Sequence, residues 1–94
     1  MDEMLITLEE TLRQRQAAPT PGSYTARLLA MGESEILKKV GEEAIEVIIA
    51  AQTQGNERLV SETADLIYHL TVMLIQKQLS WVDIQSELKN RHHA

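Results

Sequence analysis

The chain has 94 residues, with fourteen acids against nine Lys and Arg, a net charge of −5 and no cysteine. This balance argues against nucleic-acid binding through phosphates, and it excludes disulfides, thiolate metal sites and thiol nucleophiles. The opening MDEMLITLEE carries acids where a secretory signal needs basic residues, and no apolar run reaches the roughly 18 residues of a membrane span, so a single cytoplasmic, non-membrane domain over 1–94 is expected.

Phe is absent, and the apolar residues are mostly Leu, Ile, Val, Ala and Met, which favours helices packed on helices. Leu5, Leu8 and Leu12 recur at spacings of three and four, predicting an amphipathic helix over 2–16. AAPTPG, with Pro19, Pro21 and Gly22, ends it. Ser23 is placed to cap a short helix YTARLLAM, which Gly32 closes. A long third helix follows from a Ser34 cap to about Gln54, with Gly55 as its stop. Asn56 caps a fourth, reaching about Gln78. Ser80, with Asp83 three residues on, resembles a capping box and opens a last helix ending near Asn90. The predicted fold is all-α: a bundle of about five helices around two long antiparallel ones, completed by dimerisation. Leu5, Leu8, Leu12, Met73 and Trp81 read as core, and Gly41 as a point of close approach by another helix.

The third helix contains KKVGEEAIEVIIAA (38–51), with three carboxylates in an apolar setting. At about 100° per residue, setting Glu42 at 0° puts Glu46 near 40°, Lys39 near 60° and Glu43 near 100°, one stripe. Acids crowded at that spacing repel one another, unlike the alternating charges of a solvated face. The fourth helix repeats the pattern in ETADLIYHL, where Glu62 and Asp65 share a stripe with His69 and Arg58. Antiparallel packing about a turn at Gly55–Asn56 places Glu46 level with Asp65, nine residues from the turn on either side, with Glu43 and Glu62 nearby. Four carboxylates then converge on one spot.

Such a cluster is destabilising unless a cation joins it. All-oxygen donors on helices suit Mg²⁺ or Mn²⁺, not Zn²⁺, and lack the calcium-loop pattern. A di-iron bundle would want a Glu-x-x-His motif on each of two helices, which is missing. Mg²⁺ held by carboxylates commonly shares itself with substrate phosphates. A single E-x-x-E is usually a solvated face; EExxE and ExxD mirrored about a turn favour a metal site. His69 reads as a hydrogen-bonding partner of a carboxylate, and Lys39 as a phosphate contact or a plain surface lysine.

EExxE followed by ExxD resembles the signature of the all-α nucleoside triphosphate pyrophosphohydrolases, which include MazG-type enzymes and dimeric dUTPases. GSYTARLLAMG (22–32), KKVGEEAIEVIIAA (38–51), ETADLIYHLTVML (62–74) and LSWVDIQSELKNR (79–91) resemble, more narrowly, the phosphoribosyl-ATP pyrophosphohydrolase family of histidine biosynthesis, over nearly the whole chain. The resemblance implies Mg²⁺-dependent hydrolysis of phosphoribosyl-ATP to phosphoribosyl-AMP and pyrophosphate. It implies Glu43, Glu46, Glu62 and Asp65 as metal ligands and Glu42 as a carboxylate that supports the ligands or positions water, or as a further ligand. Tyr24, Arg27, Lys39 and His69 are the candidates for substrate contact. It implies a homodimer, with the cyclohydrolase of the next step on a separate chain. Two alternatives stay open: a house-cleaning nucleoside triphosphate pyrophosphohydrolase with the same metal site, and a non-catalytic helical dimerisation partner.

Overall fold

A computed structural model describes residues 3–92, and among them the secondary structure is entirely helical. Five helices run in order: α1 (Glu3–Ala17), α2 (Tyr24–Met31), α3 (Glu33–Thr53), α4 (Gly55–Gln76) and α5 (Trp81–Arg91). Two starts carry side-chain caps. Ser23 accepts from the Ala26 N–H and caps α2 as expected. Ser80 and Asp83 form a full capping box on α5. Two expected caps are not used. Ser34 already lies inside α3, because Gly32 alone joins α2 to α3, at a φ of +92° that favours glycine. Asn56 lies inside α4, because Gln54 alone separates α3 from α4 and Gly55 makes the turn at φ +82°.

That one-residue link folds α3 back on α4 as an antiparallel hairpin, the main packing interface of the chain. α1 lies against α4 and α2, α2 also packs on α3, and α5 returns to α1. One buried cluster joins four helices: Leu12 of α1, Leu28 of α2, Ile36 of α3, and Val72 and Ile75 of α4. Leu8 and Met73 pack against it half-buried, as do Leu29 and Tyr68.

This core occupies the end of the hairpin away from its turn, at the start of α3 and the end of α4. Toward the turn the pair is thinly covered. Ile45, Ile48 and Ile49 of α3 and Val60 of α4 are exposed, Val60 by 70 %. The radius of gyration is 14.4 Å, against about 12 Å for a compact chain of this length. The difference fits a hairpin that projects beyond its core. Gly41 does not mark a close approach within the chain, since a Cβ there would meet nothing within 4 Å; it lies on the same outward face as the isoleucines.

A candidate metal centre between two helices

Glu43, Glu62 and Asp65 each direct a carboxylate oxygen to one place, the three atoms lying within 4.8 Å of one another. The cause is register. With Gln54 as the only linking residue, Glu43 stands 54 − 43 = 11 residues before it and Asp65 65 − 54 = 11 after it. The turn expected one to two residues later paired Asp65 with Glu46 instead. Glu43 faces the α4 seam of α3 half-buried, Glu62 is buried and Asp65 is exposed, so the cluster opens to solvent on one side.

Glu42 and Glu46 do not join this group. Both are exposed, on the outward face of α3 beside Ile45 and Ile49. The single stripe drawn around α3 is thus split, with Glu43 toward α4, Lys39 toward α2, and Glu42 and Glu46 toward solvent. Counting about Gln54 puts Glu46 at the level of Glu62, eight residues either side (54 − 46 and 62 − 54). Arg58, one turn before Glu62, brings a cation to the edge of the centre and its guanidinium donates to Glu62 Oε1. Its four-residue spacing made that pair legible, although the acids drew attention to metal first.

Beside the acids, His69 is buried with both ring nitrogens engaged. Nδ1 lies 2.8 Å from the backbone carbonyl of Asp65 and Nε2 lies 3.1 Å from the Tyr24 hydroxyl. A carbonyl only accepts, so Nδ1 carries the proton and Nε2 accepts from Tyr24. His69 therefore offers no free nitrogen to a substrate, and its bond to Asp65 is to the backbone instead of the carboxylate expected. Burial, with Lys39 acting in opposition and Tyr68, Glu43 and Glu35 adding to it, raises the Tyr24 phenol above its ordinary value, which keeps it a donor. Tyr68, edge-on to His69 with centroids 5.1 Å apart, shares a hydroxyl–hydroxyl bond with Thr25 and ties α2 to α4.

Tyr24, Arg27 and Lys39 meet in a cleft of about 210 Å³ completed by Leu28, Met31 and Glu35. Lys39 also lies 4.0 Å from Glu42. Glu35 was not singled out from sequence, though residues 35, 39 and 43 follow one another at four-residue steps on one helix face.

Three carboxylates with one guanidinium at their edge leave negative charge uncompensated, and hard oxygen donors of this kind fit Mg²⁺ or Mn²⁺. Among the described residues, no other group of three acids or histidines draws together this way. No helix among them is long and apolar enough to cross a membrane.

The phosphoribosyl-ATP pyrophosphohydrolase family model matches residues 5–92. The chain is 49 % identical over 84 residues to a phosphoribosyl-ATP pyrophosphatase of Lactiplantibacillus plantarum, covering 89 % of this chain and 79 % of that one. It is 49 % identical over 88 residues to the phosphoribosyl-ATP pyrophosphatase of Pyrobaculum calidifontis, covering 94 % of each. A histidine biosynthesis bifunctional protein HisIE of Caldanaerobacter subterraneus is 46 % identical over 90 residues, which are 96 % of this chain but 44 % of that protein.

Proposed function

The chain belongs to the phosphoribosyl-ATP pyrophosphohydrolase family, and from that premise we propose that it hydrolyses phosphoribosyl-ATP to phosphoribosyl-AMP and pyrophosphate, the second step of histidine biosynthesis. Residues 1–94 act as one domain in the cytoplasm. The observation that carries the reading is the meeting of Glu43, Glu62 and Asp65 across the hairpin. A carboxylate cluster repels a polyphosphate unless a divalent cation is held there. Family membership favours this reading over a general nucleotide house-cleaner or a non-catalytic partner.

Glu43, Glu62 and Asp65 would hold Mg²⁺, or Mn²⁺ in its place. When bound, the ion would offset charge on the phosphates and on the departing pyrophosphate. The protein's own groups do the rest. Lys39 borders the acids and neutralises phosphate oxygens. Glu42, exposed and within ion-pair reach of Lys39, orients the attacking water and takes its proton as the phosphoanhydride bond breaks. Glu46, one turn beyond Glu43 and outside the cluster of three, is the fourth acid of the proposed set. His69 holds Tyr24 in place, and Tyr24 and Arg27 line the substrate cleft.

The chain works as a homodimer. Ile45, Ile48 and Ile49 are exposed on one α3 face, and a second copy is the occupant best matched to an apolar face beside an active site. A functional link to the cyclohydrolase of the next step belongs to the same proposal, since one relative is a bifunctional protein of histidine biosynthesis.

The test is pyrophosphate release from phosphoribosyl-ATP and from a panel of nucleoside triphosphates, with and without Mg²⁺, for wild type and Glu43→Gln. Mg²⁺-dependent release from phosphoribosyl-ATP, lost in the variant, is expected. A preference for an ordinary nucleoside triphosphate would move the substrate while sparing the centre.

A further inference from the structure

The cleft beside the acids has a makeup that the metal centre does not account for. Arg27 and Lys39 bring two cations, Glu35 one carboxylate, Leu28 and Met31 an apolar floor and Tyr24 an aromatic edge. Arg27 has no carboxylate partner among the described residues, whereas Arg13, Arg58 and Arg91 each have one. Its guanidinium carbon lies 6.0 Å from the centroid of the Tyr24 ring, at the outer range of a cation–π contact. Tyr24 is in turn linked through His69 to the backbone of Asp65 by contacts of 3.1 and 2.8 Å. Cleft and acids are therefore neighbours joined by a hydrogen-bonded path. Along α3, Lys39 and Glu35 lie roughly 6 and 12 Å from Glu43 at 1.5 Å per residue.

This inference rests on the function proposed above. Phosphoribosyl-ATP carries phosphate at two ends: the triphosphate that is hydrolysed, and a monoester on the second ribose. An ordinary nucleoside triphosphate has only the first end. A cation held by carboxylates reads the triphosphate and is blind to the difference. Lys39, next to the acids and paired with Glu42, belongs to the triphosphate side. Arg27 sits on α2 across the cleft, where a second, separate anion would lie.

We propose that this cleft takes the phosphoribosyl end of the substrate, with Arg27 gripping the phosphomonoester and Glu35 accepting from the ribose hydroxyls. Arg27 is then the residue that separates phosphoribosyl-ATP from ATP. A planar guanidinium suits the role, since it can donate two parallel hydrogen bonds to phosphate oxygens.

The experiment compares wild type, Arg27→Gln and Arg27→Lys by the KM for phosphoribosyl-ATP and by inhibition constants for ATP and for ribose 5-phosphate. Arg27 is exposed, and circular dichroism of each variant checks that the fold is kept. Arg27→Gln is expected to raise the KM about 10- to 100-fold, the value of one charge-assisted contact, and to weaken ribose 5-phosphate inhibition equally. The ATP constant should move less than about twofold, and Arg27→Lys should recover part of the loss because it keeps the charge. A parallel loss for ATP and phosphoribosyl-ATP would overturn the proposal and place Arg27 on the triphosphate. Unchanged constants throughout would remove the cleft from the site. A wild type that releases no pyrophosphate from phosphoribosyl-ATP would overturn the function and this subsite together, an outcome distinct from either.

Discussion

The carboxylate of Glu9 accepts the backbone N–H of Trp81 at 2.8 Å, across 72 residues of sequence. Its Oε1 also takes the Ser80 hydroxyl at 3.1 Å, and Oε2 accepts from Arg13 at 3.0 Å. One buried acid of α1 thus completes the N-terminal cap of α5, where partial positive charge and unpaired N–H groups favour an anion. Burial alone would raise the Glu9 carboxyl, but the bonds from Trp81, Arg13 and Ser80 together hold it below its ordinary 4.5. A group whose folded value is depressed contributes stability above its unfolded value and loses it as pH falls through the folded one. Urea midpoints should therefore drop as pH falls below about 4.5 in the wild type, and the drop should be shallower in Glu9→Gln. At pH 7, Glu9→Ala should cost about 2 kcal/mol. An unchanged midpoint at pH 7 would remove Glu9 from the capping role.

The contact between Tyr24 and His69 makes a second prediction. The Asp65 carbonyl fixes the proton on Nδ1, so nitrogen NMR should show the Nδ1–H tautomer in the wild type. Tyr24→Phe should leave that tautomer in place and cost about 1 kcal/mol, one neutral hydrogen bond. An Nε2–H tautomer would mean that the ring is turned and Tyr24 accepts. The raised phenol also carries a pH consequence. Stability linked to Tyr24 is complete below its unfolded value near 10.0 and declines as pH climbs from there to the folded one. Tyr24→Phe should lose that alkaline slope.

Helix periodicity made most of the fold legible, because spacing and capping are local. Ser23 and the Ser80–Asp83 box cap their helices as read, and Leu12 is in the core. Leu5 and Trp81 are only half-buried, since depth depends on which helices arrive from elsewhere. The acids were legible as a group, but their register was not. It turns on whether one residue or two link α3 to α4, and the local sequence TQGNE allows both. Shifting the turn to Gln54 brought Glu43, not Glu46, opposite Asp65. Glu9 shows locally only its four-residue pairing with Arg13; its capping role left no local sign, because that helix start lies 72 residues away.

Gly41 offers a test of the dimer with opposite signs for its two outcomes. A Cβ there meets nothing within the chain, so Gly41→Ala should stabilise a lone helix by about 0.8–1 kcal/mol. In a dimer packed on the face of Ile45 and Ile48, the added methyl would press on the partner. Light scattering of Gly41→Ala and of the bulkier Gly41→Leu against wild type reads this directly. Weakened self-association places the partner on this face. Unchanged association with a higher melting temperature leaves the face to solvent.

The acid centre makes the final prediction, on the metal-free protein as well as the loaded one. Glu43, Glu62 and Asp65 repel one another, and Arg58 offsets only part of that charge. Replacing Glu43 with Gln removes one repelling charge, so the metal-free variant should melt no lower than wild type. The same change removes a ligand, so Mn²⁺ affinity, read by paramagnetic resonance, should fall at least about tenfold, the equivalent of about 1.4 kcal/mol. In wild type, Mg²⁺ at ten times its dissociation constant should add about 1.4 kcal/mol of stability by mass action, and Glu43→Gln should show less. Glu46→Gln separates the register found in the structure from the one expected. If Glu46 stays outside the centre, its variant keeps Mn²⁺ affinity within about twofold; a loss matching that of Glu43→Gln would make it a full ligand. A metal-free Glu43→Gln that melts well below wild type would mean that Glu43 stabilises the hairpin in its own right, and would leave the centre without its reason for needing a cation.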